Sequence, residues 1–282
     1  MSVSVALDVD PGIDDALAIM LALRSPEIRL ELVTTVAGNG PIEMTTRNAL
    51  RLLHRLGARD VPVHSGAARP LAAPFHGALG YHGPDALGNV DIGNGPLTVH
   101  STPAHEALYE FANSAPGERV LVATGPLTNV ALAFKEHPDM PGLLSGLYIM
   151  GGAFHLTPYG RGNETPFAGF NIWQDPEAAA IVFRSAADIA MAGLDITSDP
   201  TTALTLADVN ELRRSSDNYA TLAARMAGFT FARHDVFQLH DPLALGMVLN
   251  PLMFDFASGR INVHTGESEY RGKVLGCWMG KN

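Results

Sequence analysis

Hydrophobic and polar positions divide the chain into two alternating kinds of segment. Short apolar runs rich in β-branched residues, such as VSVALDV at 3–9 and VLVATG at 120–125, predict buried strands. Helix formers follow them, as in DDALAIMLALR at 14–24, where two acids open the first turn. The unit recurs at LELVTTVAGN with a helix over about 41–56, at VLVATG with PLTNVALAFKE, at LYIMGGA with DPEAAAIVFRS, and finally at IAMAGLDIT. This alternation predicts an α/β fold, in which a mainly parallel open sheet of Rossmann-like kind is flanked by helices.

Two segments interrupt the alternation. Residues 65–101 hold seven of the 28 glycines, and residues 152–171 are polar, long and rich in glycine. Long ordered loops in such folds usually carry function. No repeat, low-complexity tract or Ser/Gly linker divides the sequence. We therefore expect residues 1–282 to form a single domain with loop insertions near 65–101 and 152–171.

Charge and cysteine content exclude several classes of protein. The net charge of −10 disfavours a surface that binds nucleic acid. A single cysteine, Cys277, allows neither an internal disulfide nor a thiolate zinc clip, and it suits a reducing cytoplasm. Apolar runs such as ALAIMLAL at 16–23 fall short of the roughly 20 residues that a bilayer span requires, and no signal-peptide pattern follows Met1. We expect a cytoplasmic protein that binds neither nucleic acid nor membrane.

Four carboxylates crowd the segment DVDPGIDDA, namely Asp8, Asp10, Asp14 and Asp15. Residues two apart in a strand face the same way, so Asp8 and Asp10 project together from the carboxyl edge of the first strand. Asp14 and Asp15 begin the next helix, where unpaired N–H groups favour negative charge. A helix cap or a solvated turn would account for one such acid. All four together predict a hard cation, Ca²⁺ or Mg²⁺, at a crevice.

Two other motifs share this beginning and fit less well. An EF-hand loop counted from Asp8 needs a bidentate Glu at its twelfth position, which here is Ile19. A phosphatase of the haloacid-dehalogenase type resembles the DxD segment, but Pro11 and Gly12 follow in place of that family's Gly-Thr pair.

Motifs along the whole chain resemble another family. In collinear order they are DVDPGIDDALAI, TTVAGN, YHGPDALGN, ATGPLTNVA, IMGGAF, GNETP, GFNIWQDPEAA and QLHDPLA. From residue 3 to about 275 they resemble the inosine-uridine-preferring nucleoside hydrolases. The resemblance implies the nucleoside hydrolase fold and calcium-dependent hydrolysis of the N-glycosidic bond of ribonucleosides to ribose and free base. It also implies a role in purine or pyrimidine salvage and assembly as a homodimer or homotetramer.

The resemblance assigns a role to each matching residue. One Ca²⁺ is implied on Asp10, Asp15, the Thr124 carbonyl and Asp241, with Asp8 supporting this shell from behind. Asp10 is implied to take a proton from the attacking water, and His240 to protonate or orient the departing base, with His82 as a second histidine on the base side. The implied contacts to the sugar come from Asp14, Asn39, Asn163, Asn171 and Asp241, with Met150 and Phe170 as apolar walls.

One position departs from the family pattern. Where the family typically has Ala-Glu-Phe-Asn, this chain has Gly169 in the segment AGFN at 168–171. A missing carboxylate leaves room for a 5′-substituted or otherwise unusual ribosyl compound, and Arg161 is then a candidate partner for a phosphate. Glu164 is a candidate replacement for the carboxylate. A ribose- or nucleoside-binding relative without catalytic activity is a further alternative, and the sequence does not indicate which base is preferred.

Overall fold

A six-stranded parallel sheet forms the centre of the computed structural model, which describes residues 2–95 and 98–279. Its strands are Val3–Val9 (β1), Ile28–Thr35 (β2), Val63–Ser65 (β3), Arg119–Ala123 (β4), Leu144–Met150 (β5) and Ile189–Ala192 (β6). Two small antiparallel pairs lie outside this sheet, formed by Leu204–Thr205 (β7) with Val236–Phe237 (β8) and by Gly259–Val263 (β9) with Val274–Trp278 (β10).

Helices connect the strands. Before β5 they are Ile13–Arg24 (α1), Ile42–Arg55 (α2), Leu79–His82 (α3), Ala104–Ser114 (α4), Thr128–Glu136 (α5) and Met140–Leu143 (α6). After β5 they are Phe170–Gln174 (α7), Pro176–Phe183 (α8), Leu194–Thr197 (α9), Leu206–Arg214 (α10), Asn218–Ala227 (α11) and His240–Leu249 (α12). Short 3₁₀ turns cover Pro200–Thr202, Thr230–Ala232 and Pro251–Met253.

The strand order is β3-β2-β1-β4-β5-β6, so the chain winds outward in both directions from the β1–β4 pair. Such a reversal of strand order leaves a crevice beyond the carboxyl ends of the two central strands, which is where ligands bind in open α/β sheets. The crevice here lies beyond Val9 and Ala123, where β1 and β4 end. The topology therefore predicts a binding site at these two strand ends.

Alternate residues of β1 pack into different layers of the core. Val5, Leu7 and Val9 join the hydrophobic cluster that includes α1, whereas Ala6 joins the cluster that includes α4 and α5. All four side chains are fully buried. Burial on both faces is the reason why this strand reads as a nearly continuous apolar run, as strands of covered parallel sheets do.

The structure confirms the predicted fold class, and β1 has the predicted bounds. Residues 65–101 and 152–171 are mostly loop, although the first segment contains the short helix α3. Its residues 96–97 lie outside the described ones, as do Met1 and residues 280–282 of the expected single domain, which stays a prediction. Across the described ranges, no helix combines the length and apolar character that a membrane crossing requires.

Candidate active site

A cavity of about 230 Å³ opens at the carboxyl edge of the sheet, beyond the β1–β4 pair. Polar side chains and a few apolar ones line it. Ten of the residues assigned from the sequence are among its lining residues, namely Asp14, Asn39, His82, Thr124, Met150, Asn163, Phe170, Asn171, His240 and Asp241. Residues from eight separate motifs thus meet in one place.

Three buried carboxylates form an oxygen cluster at the base of this cavity. One carboxylate oxygen from each of Asp14, Asp15 and Asp241 lies within 4.8 Å of the others. Asp14 and Asp15 occupy the first turn of α1, and Asp241 occupies the first turn of α12. Both helix starts carry unpaired N–H groups and a positive end of the helix dipole, which favour negative charge there.

Asp15 ties together three segments that end at the cavity. Its Oδ2 accepts hydrogen bonds from the backbone N–H of Gly12 at 2.9 Å and from Nδ2 of Asn39 at 3.2 Å. Its Oδ1 accepts from the backbone N–H of Asp10 at 3.2 Å and from Oγ1 of Thr124 at 2.8 Å. The carboxylate therefore fixes the β1–α1 turn relative to the loops after β2 and β4.

Asp10 lies beside the cluster without belonging to it and does not line the cavity wall. Its Oδ2 accepts the backbone N–H of Asn39 at 2.7 Å. Its Oδ1 is buried and has no hydrogen-bond partner among the described residues. A Cβ at Gly38 or Gly125 would strike this carboxylate, so both loops need glycine to approach it. Asp10 thus keeps one free oxygen in a closely packed setting.

Asp8 is held by side chains of β2 and α5. Its Oδ1 accepts hydrogen bonds from Oγ1 of Thr34 at 2.6 Å and from Nδ2 of Asn129 at 2.8 Å. Burial raises the pKa of Asp8 to about 7, in spite of these two bonds. Asn129 in turn donates to the Thr35 carbonyl at 2.9 Å and accepts the backbone N–H of Ala67 at 2.8 Å.

The crowded carboxylates would be stabilised by a bound cation. Burial raises the pKa of Asp10, Asp14, Asp15 and Asp241, and mutual repulsion raises most of these pKa values further. Among the described residues, no lysine or arginine lines the cavity. Buried oxygens of Asp8, Asp10 and Asp14 lack partners within the same part of the chain. An oxygen-only set of ligands with unpaired atoms fits a hard divalent cation.

Two histidines line the same cavity as the carboxylates. Nδ1 of His82 accepts the backbone N–H of Ile13 at 3.1 Å and lies 3.7 Å from Oδ1 of Asp14. Nδ1 of His240 lies 2.8 Å from Oγ1 of Thr197. Burial lowers the pKa of both, that of His82 to about 4. Near neutral pH both imidazoles are therefore uncharged and suited to hydrogen bonding.

The loop between β5 and α7 forms another wall of the cavity. Oδ1 of Asn163 accepts the backbone N–H of Phe170 at 2.9 Å. Nδ2 of Asn171 donates to the carbonyl oxygens of Thr124 and Met150, the second at 3.1 Å. The Thr124 carbonyl, which the sequence assigns to a metal, is thus held by an amide in this structure.

Sequence reasoning gave no role to several residues found here. Tyr81, Leu194 and Gln238 line the cavity, and Thr197 contacts His240 from outside it. Tyr81 and Gln238 lie within the YHGPDALGN and QLHDPLA motifs, which were the available signals for them. Of the two residues considered around Gly169, Glu164 lines the cavity and Arg161 does not.

Comparisons with known proteins find similar sequences and similar folds. The family model described as inosine-uridine preferring nucleoside hydrolase matches residues 5–282. A non-specific ribonucleoside hydrolase RihC from Salmonella schwarzengrund is 40% identical over 265 residues, covering 94% of this chain and 84% of the relative. A solved plant nucleoside hydrolase superposes with a TM-score of 0.93 at 34% identity, covering 98% of this chain and 87% of that one. A purine-preferring ribonucleoside hydrolase from Gardnerella vaginalis gives a TM-score of 0.89 at 31% identity, covering 97% and 88%.

Proposed function

We propose a calcium-dependent mechanism for this chain, which belongs to the inosine-uridine preferring nucleoside hydrolase family. The chain is a ribonucleoside hydrolase, an enzyme that cleaves nucleosides to ribose and free base. The family is metal-dependent, and the acidic cluster is a possible metal site. We propose that this metal is Ca²⁺ and that the residues of the cavity have the following roles.

The residues that would hold Ca²⁺ are Asp10, Asp15, Asp241 and the carbonyl of Thr124. The observation that carries this assignment is the unpaired, buried Oδ1 of Asp10 beside the crowded oxygens of Asp15 and Asp241. A bound hard dication supplies positive charge to neutralise the cluster, lowers the pKa of a water molecule and orients sugar hydroxyls. The Thr124 carbonyl accepts a hydrogen bond from Asn171, and its second lone pair could serve a cation.

Asp10 is assigned as the group that removes a proton from the attacking water. Its Oδ1 is free to accept, and burial together with the neighbouring Asp15 raises its pKa, which makes it a stronger base. The oxygen of that water joins C1′, the electron pair of the C1′–N bond leaves with the base, and the proton removed from the water balances the one that the free base gains. Carboxylates around the sugar stabilise the positive charge that develops on it in the transition state.

Sugar and base are assigned to different residues of the cavity. Asp14, which lines the cavity while Asp15 does not, is assigned to a sugar hydroxyl. The remaining sugar contacts are assigned to Asn39, Asn163, Asn171 and Asp241, with Met150 and Phe170 as apolar walls. His82 and His240 are assigned to the departing base, because they line the same cavity and are held by bonds to Nδ1.

The structure does not favour the alternative of a 5′-phosphorylated substrate. Glu164 places a carboxylate at the cavity, where it would repel a phosphate, and Arg161 is absent from the lining. A binding relative without turnover is disfavoured by the retained set of carboxylates and histidines. We also propose that the enzyme acts in the cytoplasm, which the single cysteine supports, and that it is a homodimer or homotetramer.

The test is a panel of substrates with purified, calcium-loaded protein. Inosine, adenosine, uridine and cytidine are incubated with it, and free ribose is measured as reducing sugar. The corresponding 5′-monophosphates are assayed for ribose 5-phosphate as the matched set. Release of ribose from unmodified nucleosides supports the proposal. Absence of ribose from every nucleoside, or a preference for the monophosphates, would contradict it.

A further inference from the structure

The histidine assigned to the departing base is held by a residue far away in the sequence. His240 is the first residue of α12, and Thr197 is the last residue of α9, 43 positions earlier. Nδ1 of His240 and Oγ1 of Thr197 are 2.8 Å apart. Thr197 is fully buried, and its backbone N–H bonds to the Gly193 carbonyl at 3.1 Å. The hydroxyl is therefore presented to the imidazole from a fixed backbone.

The direction of this hydrogen bond can be inferred because the buried hydroxyl proton of Thr197 needs an acceptor. Among the described residues, Oγ1 of Thr197 has no partner other than Nδ1 of His240. If Nδ1 carried a proton, Thr197 would have to accept, and its own buried hydroxyl proton would have no acceptor. A buried unpaired donor costs about 1–3 kcal/mol. The favoured arrangement is the one in which Thr197 donates and Nδ1 accepts.

This arrangement sets which nitrogen of His240 carries the proton. An imidazole whose Nδ1 accepts a hydrogen bond carries its proton on Nε2. His240 lines the cavity, and Nε2 has no partner in the described part of the chain. Its N–H group is therefore available to a ligand in the cavity.

A separate hydrogen bond indicates that His82 is also protonated on Nε2. The backbone N–H of Ile13 is a donor only, so Nδ1 of His82 must accept at 3.1 Å. The proton of the neutral ring lies on Nε2 here as well. Two histidines thus present donors to the cavity, and ring nitrogens or carbonyl oxygens of a nucleobase are the acceptors that such donors recognise.

We infer that Thr197 is a positioning residue, which holds His240 in its Nε2-protonated form so that it donates a hydrogen bond to the departing base. The inference rests on the proposed function. As the C1′–N bond breaks, its electron pair accumulates on the base, and a fixed N–H donor stabilises that charge without itself losing the proton. Thr197 acts through His240 and makes no contact with the substrate.

The kinetic test compares three variants on two substrates. Thr197→Val keeps the branched shape and removes the hydroxyl, Thr197→Ser keeps the hydroxyl, and Thr202→Val is the matched control. Thr202 follows in the next turn, and within the described ranges its hydroxyl bonds only to the carbonyls of Ile196 and Asp199. The substrates are inosine and 4-nitrophenyl riboside, whose leaving group departs unaided.

Thr197→Val is expected to lower kcat on inosine by about 10- to 100-fold, by analogy with removal of the hydrogen-bond partner of a metal-ligating histidine. The activated riboside should lose less than about threefold, Thr197→Ser should recover most of the inosine activity, and Thr202→Val should match the parent. Equal losses on both substrates, or no rescue by serine, would overturn the inference.

A spectroscopic measurement keeps the inference separate from the proposed function. Nitrogen-15 NMR of the histidine rings distinguishes a protonated from an unprotonated nitrogen. In the parent protein, His240 should show an unprotonated Nδ1 and a protonated Nε2, and Thr197→Val should give a mixture of the two forms. A proton on Nδ1 in the parent would refute the role of Thr197, whether or not the protein hydrolyses nucleosides. Failure to release ribose, with the NMR result as expected, would refute only the function.

Discussion

The floor and the rim of the cavity are built in different ways. The floor, defined here as Asp10, Asp14, Asp15 and Asp241, lies at strand ends and helix starts and is almost fully buried. The rim, defined as residues 152–169, is a loop with many exposed side chains. In the floor, Asp15 accepts four hydrogen bonds from three segments, whereas Asn163 in the rim is fixed by one bond to Phe170.

This difference suggests that the floor serves metal binding and turnover, whereas the rim determines substrate preference. The parallel sheet brings the same strand ends together whatever the loops contain, so the floor is suited to a demanding cluster of like charges. A loop tolerates substitution because few other parts of the fold depend on it. Gly169, the departure from the family pattern, lies in the rim. We therefore expect changes in the floor to abolish metal binding and turnover, and changes in the rim to alter substrate preference.

The largest effect is expected from the floor. Replacing Asp10 by Asn removes the proposed proton acceptor and one metal ligand, so turnover of inosine should fall by about 10⁴-fold or more. Bound calcium, measured by mass spectrometry of the metal, should fall together with it. Asp139→Asn, at an exposed helix start, is the control and should change neither quantity. An Asp10→Asn protein with normal calcium content and normal turnover would contradict the role of the floor.

A smaller effect is expected from His240, which precedes the floor residue Asp241 at the start of α12. His240→Ala should reduce hydrolysis of purine nucleosides by roughly 10²-fold, since the departing base loses its hydrogen-bond donor. An activated aryl riboside should be spared, because its leaving group requires no assistance. The measurement is kcat on both substrates. Equal losses would assign His240 to structure or to binding.

The floor should also control the pH dependence of stability. Burial raises the pKa of Asp8 from 3.8 to about 7 and raises those of the four floor carboxyls. Between the ordinary and the raised values, the folded chain binds more protons than the unfolded chain. The free energy of unfolding of the metal-free protein should therefore fall as pH rises through this window. His82 and His240, whose pKa values are lowered, oppose this trend but are fewer than the carboxyls.

Urea unfolding in chelator and in excess calcium measures this effect. The stabilisation by calcium should grow from about pH 5 to about pH 8, because deprotonated carboxylates bind the metal. A gap between the two unfolding midpoints that stays constant or shrinks with pH would show that the carboxylates of the floor do not titrate with metal binding.

The smallest effect is expected from the rim. Replacing Glu164 by Gln keeps the size of the side chain and removes its charge at the cavity. The KM for nucleosides should rise by about three- to tenfold, as expected for one hydrogen bond, with calcium content and melting temperature unchanged. The double variant Glu164→Gln with Gly169→Glu should recover the parent KM if the two positions share a role. A loss of bound calcium in Glu164→Gln would contradict the separation of rim from floor.

Sequence reasoning predicted the regular parts of this molecule well. The apolar run of β1 and the acids that open α1 are local signals, so the strand end, the helix start and their carboxylates followed directly. Contacts between distant segments left no such signal. The Thr197–His240 bond joins residues 43 positions apart, and the Asn129–Asp8 bond joins residues 121 apart. Their meeting depends on how helices pack on the sheet, which no local pattern records.

The central claim is that the buried floor holds one calcium ion on which hydrolysis depends. The most direct measurement is the metal content of the purified protein, followed by inosine hydrolysis after removal of metal with a strong chelator and after addition of calcium. We expect about one calcium per chain, loss of nearly all activity on chelation, and recovery on addition of calcium. A protein that contains no calcium and releases ribose at an undiminished rate in strong chelator would contradict the account.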